Sequence, residues 1–163
     1  MKRLLCIFLC AFLLSGCGNA AKKEGSTVFY YCRSDYVYGD IHGVIAPEHR
    51  EVSQQASDLK STLALYLVGP LEESLTSPFI GAKLVSVDAQ NDMLQIRLAD
   101  ADKAMTDADF TLAAACLAKT SLELTQLPQV TIICGEHSAT MDENNLLLYD
   151  SITSTEITPE DTQ

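Results

Sequence analysis

The sequence predicts an α+β fold, a two-layer sandwich with two helices packed on one face of a small mixed β-sheet. Leu59, Leu63, Tyr66 and Leu67 fall at i, i+4, i+7 and i+8, an apolar stripe of helical period that Gly69-Pro70 stops. Val85 and Val87 alternate with Ser86 and Asp88, the turn residues Gln90-Asn91-Asp92 follow, and Leu94, Ile96 and Leu98 alternate with Gln95 and Arg97. That pattern is an amphipathic hairpin. A second helical run extends from Thr106, with Asp107 and Asp109 where the positive end of the helix dipole favours them, to about Thr125. Leu127-Pro128 breaks it, and Val130 to Cys134 reads as a strand buried on both faces and closed by Gly135. Each helix must bury one face and the strands at least one, which two layers achieve. The second helix is a crossover, right-handed if the strands it joins are parallel in one sheet.

At the start of the chain, Lys2 and Arg3 precede an apolar run from Leu4 to Leu14. A bilayer span needs roughly 20 such residues, so this run reads as a signal peptide over residues 1–16. Leu14-Ser15-Gly16-Cys17 directly after it resembles the lipobox of bacterial lipoproteins, in which the Cys sulfur receives a diacylglyceryl group and cleavage leaves that Cys first. The resemblance implies acylation, palmitate included, at Cys17. Two acyl chains there would meet the two-signal condition for stable anchoring, at about 0.8 kcal/mol per buried methylene. Residues 17–27, small and polar with Lys22, Lys23 and Glu24, read as a flexible tether. The mature protein is then expected on the outer face of the bacterial cell membrane, held by lipid without crossing.

Removing 16 of 163 residues leaves 147, enough for one domain with a sizeable core. The chain carries 11 basic and 22 acidic residues; without Lys2 and Arg3 the balance is 9 against 22, or −13. Such a surface repels nucleic acid and anionic headgroups, so the acyl chains must carry the membrane affinity. Asp100, Asp102, Asp107 and Asp109 lack the central Gly and terminal Glu of a calcium loop.

The order of elements and their joint residues resemble the GerMN domain of bacterial sporulation and spore-germination proteins. The motifs are Leu67-Val68-Gly69-Pro70 ending the first helix, Ser77-Pro78 and Gly81 before the hairpin, and Leu84 to Val87 with Leu94 to Leu98. Leu127-Pro128-Gln129-Val130 then leads into Thr131 to Gly135, and Val28 to Tyr31 and Glu48 to Val52 resemble the domain's opening strands. The resemblance places a GerMN-like domain at residues 28–149 and implies a fold of the ring-building-motif type. By analogy alone it implies self-association as a homo-oligomer, or docking to other envelope or sporulation proteins. Residues 150–163 form a Thr- and acid-rich tail that cannot bury enough apolar area to order itself.

Tyr30, Tyr31, Tyr36 and Tyr38 give the N-terminal segment an aromatic density that could stack on cell-wall glycan or face a partner, although aromatic residues are enriched in strands anyway. Asp40 and His42 flank a turn, but no third and fourth ligand stand at a recognisable spacing, so neither a metal nor a cofactor is expected. Cys6 and Cys10 leave with the signal and Cys17 is lipidated, leaving Cys32, Cys116 and Cys134. A Cys32–Cys134 disulfide is a candidate because both lie on predicted strands that one sheet could bring together, and buried thiols are the alternative. Cys116, within an Ala-rich helix, should behave as a small hydrophobe.

Glu48, Arg50 and Glu51 read as surface charges on a short edge-like strand, with pairing worth at most about 1 kcal/mol. Ser57 is the expected N-cap of the first helix. Ser138 to Asn145 looks polar and turn-like, and Leu146 to Tyr149 resembles a last short strand. Cys134-Gly135-Glu136-His137 sets a thiol, a carboxylate and an imidazole side by side, yet as sequence neighbours they should point in different directions. No G-x-S-x-G, H-E-x-x-H or phosphate-cradling Gly loop occurs. The leading expectation is a non-catalytic, lipid-anchored module acting in sporulation, germination or envelope assembly through protein contacts. A glycan or small-ligand binding lipoprotein using the Tyr-rich segment is the alternative, and a Cys134 hydrolase the third.

Overall fold

Two short sheets share one long helix. The computed structural model describes residues 26–37, 42–51, 58–77, 79, 81–101 and 105–149. The signal, Cys17, Tyr38, Asp40, Ser57 and the tail 150–163 lie outside them. Strand β1 (Ser26–Arg33) begins inside what the sequence suggests is tether. It pairs antiparallel with β2 (Ile45–Glu51) from Ser26↔Glu51 to Cys32↔Ile45. The two-residue β3 (Leu75–Thr76) joins its other edge, giving the order β2-β1-β3. Tyr30 lies opposite Pro47, and its N–H goes to Thr120 Oγ1 at 2.9 Å. This is therefore a non-hydrogen-bonded pair, and the N–H that Pro47 lacks would have pointed to the open edge of β2, where it removes no ladder bond.

The second sheet is mixed, in the order β4-β5-β6-β7. Strands β4 (Lys83–Gln90) and β5 (Met93–Ala99) turn at Asn91 and Asp92, whose φ of 50° and 61° are both positive, as a type I′ turn requires. The register shifts between Leu84 and Ser86, so the expected alternation breaks. Val85 is the extra residue of a bulge and turns outward, 55% exposed, while Leu84 and Val87 stay half-buried. Strand β6 (Gln129–Cys134) runs parallel to β5, the arrangement for which a right-handed crossover is expected.

Strand β7 (His137–Asp142) is the stretch that reads as a polar turn; Ser138 and Thr140 face out while Met141 is buried. The expected strand at Leu146 to Tyr149 is instead the end of α3 (Glu143–Leu146), capped by Asp142, followed by a 3-10 turn at Leu147–Tyr149. A capping box starts the helical turn there: the Asn145 N–H donates to Asp142 Oδ1 at 2.9 Å and the Asp142 N–H to Asn145 Oδ1 at 3.2 Å.

Helix α1 (Leu59–Tyr66) is capped by Asp58, which accepts from the Ser61 N–H at 2.9 Å and so holds the N-cap place expected of Ser57. Helix α2 (Asp107–Thr125) opens with a capping box between Thr106 and Asp109 and ends at Gln126, whose φ of 57° is left-handed. Its central run Ala113 to Ala118 is fully buried, small side chains letting it lie close to its neighbours. Leu94 and Ile96 of β5 and Val130 and Ile132 of β6 are also fully buried in this core. The α+β class therefore holds, with the strands of the described residues divided between two sheets and no closed barrel among them.

Candidate functional site

The expected aromatic platform is split by the alternation of β1. Tyr31 and Phe29 share one face with Glu48 and Arg50. Tyr31 is fully buried, stacked on Tyr66 at 4.7 Å between centroids, and its hydroxyl donates to the Tyr66 carbonyl at 2.9 Å. Burial pushes both phenols above their ordinary value. Tyr31 is thus a core residue and cannot form part of a ligand platform. Tyr36 is half-buried in the connection after β1. Tyr30 points the other way, toward α2: its hydroxyl donates to Glu123 Oε2 at 2.7 Å, and Lys119 Nζ lies 5.1 Å from its ring centroid.

Tyr30 also lines an open cleft of about 770 Å³ between the end of α2 and α3, with Lys119, Glu123, Gln126, Asp142 and Leu147 around it. The lining mixes carboxylates, one ammonium and apolar surface, which suits a ligand presenting donors beside an apolar face. Lys119 occupies part of the ring face on which a sugar would stack. Leu147 and Leu148 stand 66% and 84% exposed next to it.

Glu48 and Arg50, read from sequence as surface charges, are 2% and 6% exposed and form an ion pair. Glu48 Oε2 accepts from the backbone N–H groups of Leu71 (2.7 Å) and Glu72 (2.9 Å). Arg50 donates to the Gly69 carbonyl and lies 5.1 Å and 5.6 Å from the Phe29 and Tyr31 ring centroids. The bonds that Glu48 accepts from Leu71 and Glu72, and the one that Arg50 donates to Gly69, fasten the loop after α1 to β2.

The cysteines are arranged differently from the candidate pairing. Cys32 is on the first sheet and Cys134 on the second, and all three described cysteines are free and buried. Cys32 instead meets Cys116, Sγ to Sγ 3.4 Å. The Cys116 hydrogen bond lowers the Cys32 thiol, while burial pushes Cys116 well up. Cys134 and His137 are register partners across the Gly135-Glu136 turn and so face the same side, contrary to expectation. His137 Nδ1 lies 3.1 Å from Asp107 Oδ1, and its ring stacks on Phe110 at 5.1 Å. Asp107 is 95% exposed, however, and among the described residues no hydrogen bond joins Cys134 to His137.

No family model and no curated protein matches the sequence. Among solved structures, a candidate lipoprotein of Clostridium perfringens is similar at 16% identity with a TM-score of 0.42, over 79% of this chain and 95% of the other. Among the described residues no helix is long and apolar enough to cross a membrane, and no group of three or more His, Cys, Asp or Glu is placed to hold a metal ion. His42 is exposed.

Sequence reasoning missed the cleft because its walls come from β1, α2 and α3, separated by about 90 residues between Tyr30 and Thr120. The signal that could have found it is Lys119 and Glu123, one helical turn apart and the only charged residues of α2 after Asp109.

Proposed function

We propose that the protein is a lipid-anchored extracytoplasmic module that acts through protein contacts and performs no chemistry of its own, in sporulation, germination or envelope assembly as its GerMN resemblance implies. The observation that carries this reading is Leu14-Ser15-Gly16-Cys17 directly after a basic and then apolar leader. The acidic balance supports it, because a surface that repels anionic headgroups leaves membrane attachment to acyl chains. Leu147 and Leu148 beside the cleft, and Val68 (80%) and Leu71 (78%) after α1, offer exposed apolar area for a protein partner.

Labelling of cells with a tagged fatty acid tests the anchor. Label is expected in the wild-type protein of the membrane fraction and is lost with Cys17→Ser; an unlabelled wild-type protein in the cytosol rejects it. Gel filtration across concentrations and pull-down from membranes test the contacts, and a strict monomer with no envelope partner counts against them. A deletion strain scored for sporulation and germination tests the physiological role.

A glycan-binding reading is favoured by one observation, Tyr30 in the wall of the cleft. Binding to purified peptidoglycan that survives Tyr30→Ala and Tyr36→Ala together would reject it.

A further inference from the structure

A pair of thiols is buried where the two sheets are joined, and the proposed function makes no use of it. Cys32 lies on β1 and Cys116 in the middle of α2, with 4% and 0% of their surfaces exposed and sulfurs 3.4 Å apart. A disulfide bond is about 2.05 Å long, so small side-chain rotations have about 1.4 Å to close. The backbones beneath the sulfurs are held together independently. One helical turn after Cys116, the Thr120 hydroxyl accepts the Tyr30 N–H at 2.9 Å and donates to the Cys116 carbonyl at 3.0 Å. Tyr30 and Glu123 add a second tie between the same elements.

We propose that Cys32 and Cys116 form a structural disulfide in the exported protein, locking β1 to α2, while Cys134 stays a free thiol. The inference rests on the extracytoplasmic reading above only for its oxidant, a disulfide-bearing compound or protein of that compartment. The Cys32 thiolate attacks one sulfur of the oxidant R–S–S–R, forming a mixed disulfide and expelling one thiolate. The Cys116 sulfur gives up its proton and attacks the Cys32 sulfur, expelling the second. Two thiols lose two electrons and two protons, and the oxidant becomes two thiols. Because both sulfurs are enclosed in the folded chain, exchange takes place while α2 closes on β1. The finished bond is then shielded from reductant until the chain opens.

Trypsin separates the three cysteines, since cleavage after Lys23, Arg33, Lys103 and Lys119 places Cys32, Cys116 and Cys134 on three different peptides. The full chain is isolated from cells with an alkylating agent present at lysis, digested without reductant and analysed by mass spectrometry. A linked pair of peptides 24–33 and 104–119 is expected, with the Cys134 peptide alkylated. In parallel, the reduced full chain is refolded from urea in a glutathione disulfide buffer. The same link is expected, with a rise in Tm on the order of 10 °C that Cys134→Ser keeps and that Cys32→Ser and Cys116→Ser lose.

Alkylation of both Cys32 and Cys116 peptides in both arms overturns the pairing. A link formed in the refolding arm alone overturns the disulfide as the cellular form. The mass of the peptide bearing Cys17 in the cellular digest reports lipidation separately, so failure of the anchor reading is distinguishable from failure of the disulfide.

Discussion

Glu48→Ala is the sharpest perturbation available, because Glu48 and Arg50 are 2% and 6% exposed and hold each other. The substitution removes the acceptor of the Arg50 Nε–H and of two backbone N–H groups, Leu71 and Glu72. It leaves a guanidinium whose remaining described partners are the Gly69 carbonyl and the faces of Phe29 and Tyr31. Breaking a buried pair from one side costs about 3–5 kcal/mol, a large share of the roughly 5–15 kcal/mol that keeps a domain folded. With a urea m-value of about 2 kcal/mol/M, the midpoint should fall by about 2 M. Urea titrations followed by circular dichroism at fixed pH and salt measure it. The double variant Glu48→Leu with Arg50→Met supplies the decisive comparison, since replacing both charges by apolar groups of similar volume is often neutral or stabilising. It should recover most of the loss. A single variant within about 1 kcal/mol of wild type would show the pair to be effectively solvated. A double variant worse than the single would refute the argument from desolvation.

Two further outcomes follow from other contacts. Thr120→Val keeps the volume but strands the Tyr30 N–H, which Thr120 Oγ1 accepts at 2.9 Å, so unfolding free energy should drop by about 1–3 kcal/mol in the same titration. Hydrogen bonds from Ser61 to Asp58, and from Thr106 to Asp109, lower both carboxyls below their ordinary value. A folded value below the unfolded one means their stabilisation is complete above about pH 4 and is lost as pH falls through the folded value. Thermal scans from pH 6 downward should therefore show wild type losing Tm faster than the double variant Asp58→Asn with Asp109→Asn, and parallel curves would refute the assignment.

What the sequence revealed was mostly local chemistry. The Asn91-Asp92 turn, the Thr106–Asp109 cap and the Leu127-Pro128 stop act within a few residues, and each stands where its residue types predict. Glu48 and Arg50 were misread as surface because the groups that make their burial tolerable, the Leu71 and Glu72 amides and the Gly69 carbonyl, arrive from about 20 residues away. Strand β7 escaped because its outward residues Ser138 and Thr140 outweigh one buried Met141. The tyrosines show the same limit: alternation says that Tyr30 and Tyr31 must face opposite sides, but only tertiary packing says which side holds the core. The cleft was invisible for the same reason, since no one segment carries it.

Helix α2 belongs by chain order to the second sheet, between β5 and β6, yet its hydroxyl at Thr120 and sulfur at Cys116 meet β1 of the first. The first sheet has three strands, one of them two residues long, and small sheets of that kind need a packed partner for stability. Separate melting of the first sheet would expose Phe29, Tyr31 and the Glu48–Arg50 pair while uncovering one side of α2. The two sheets should therefore open together. Native-state hydrogen exchange tests this directly: the slowest amides of β1 and those of Ile96 and Ile132 should report opening free energies within about 1 kcal/mol of each other, and Thr120→Val should lower them in step. Exchange in β1 at a free energy several kcal/mol below that of β5 and β6 would make the first sheet a separate unit and α2 a mere neighbour of it.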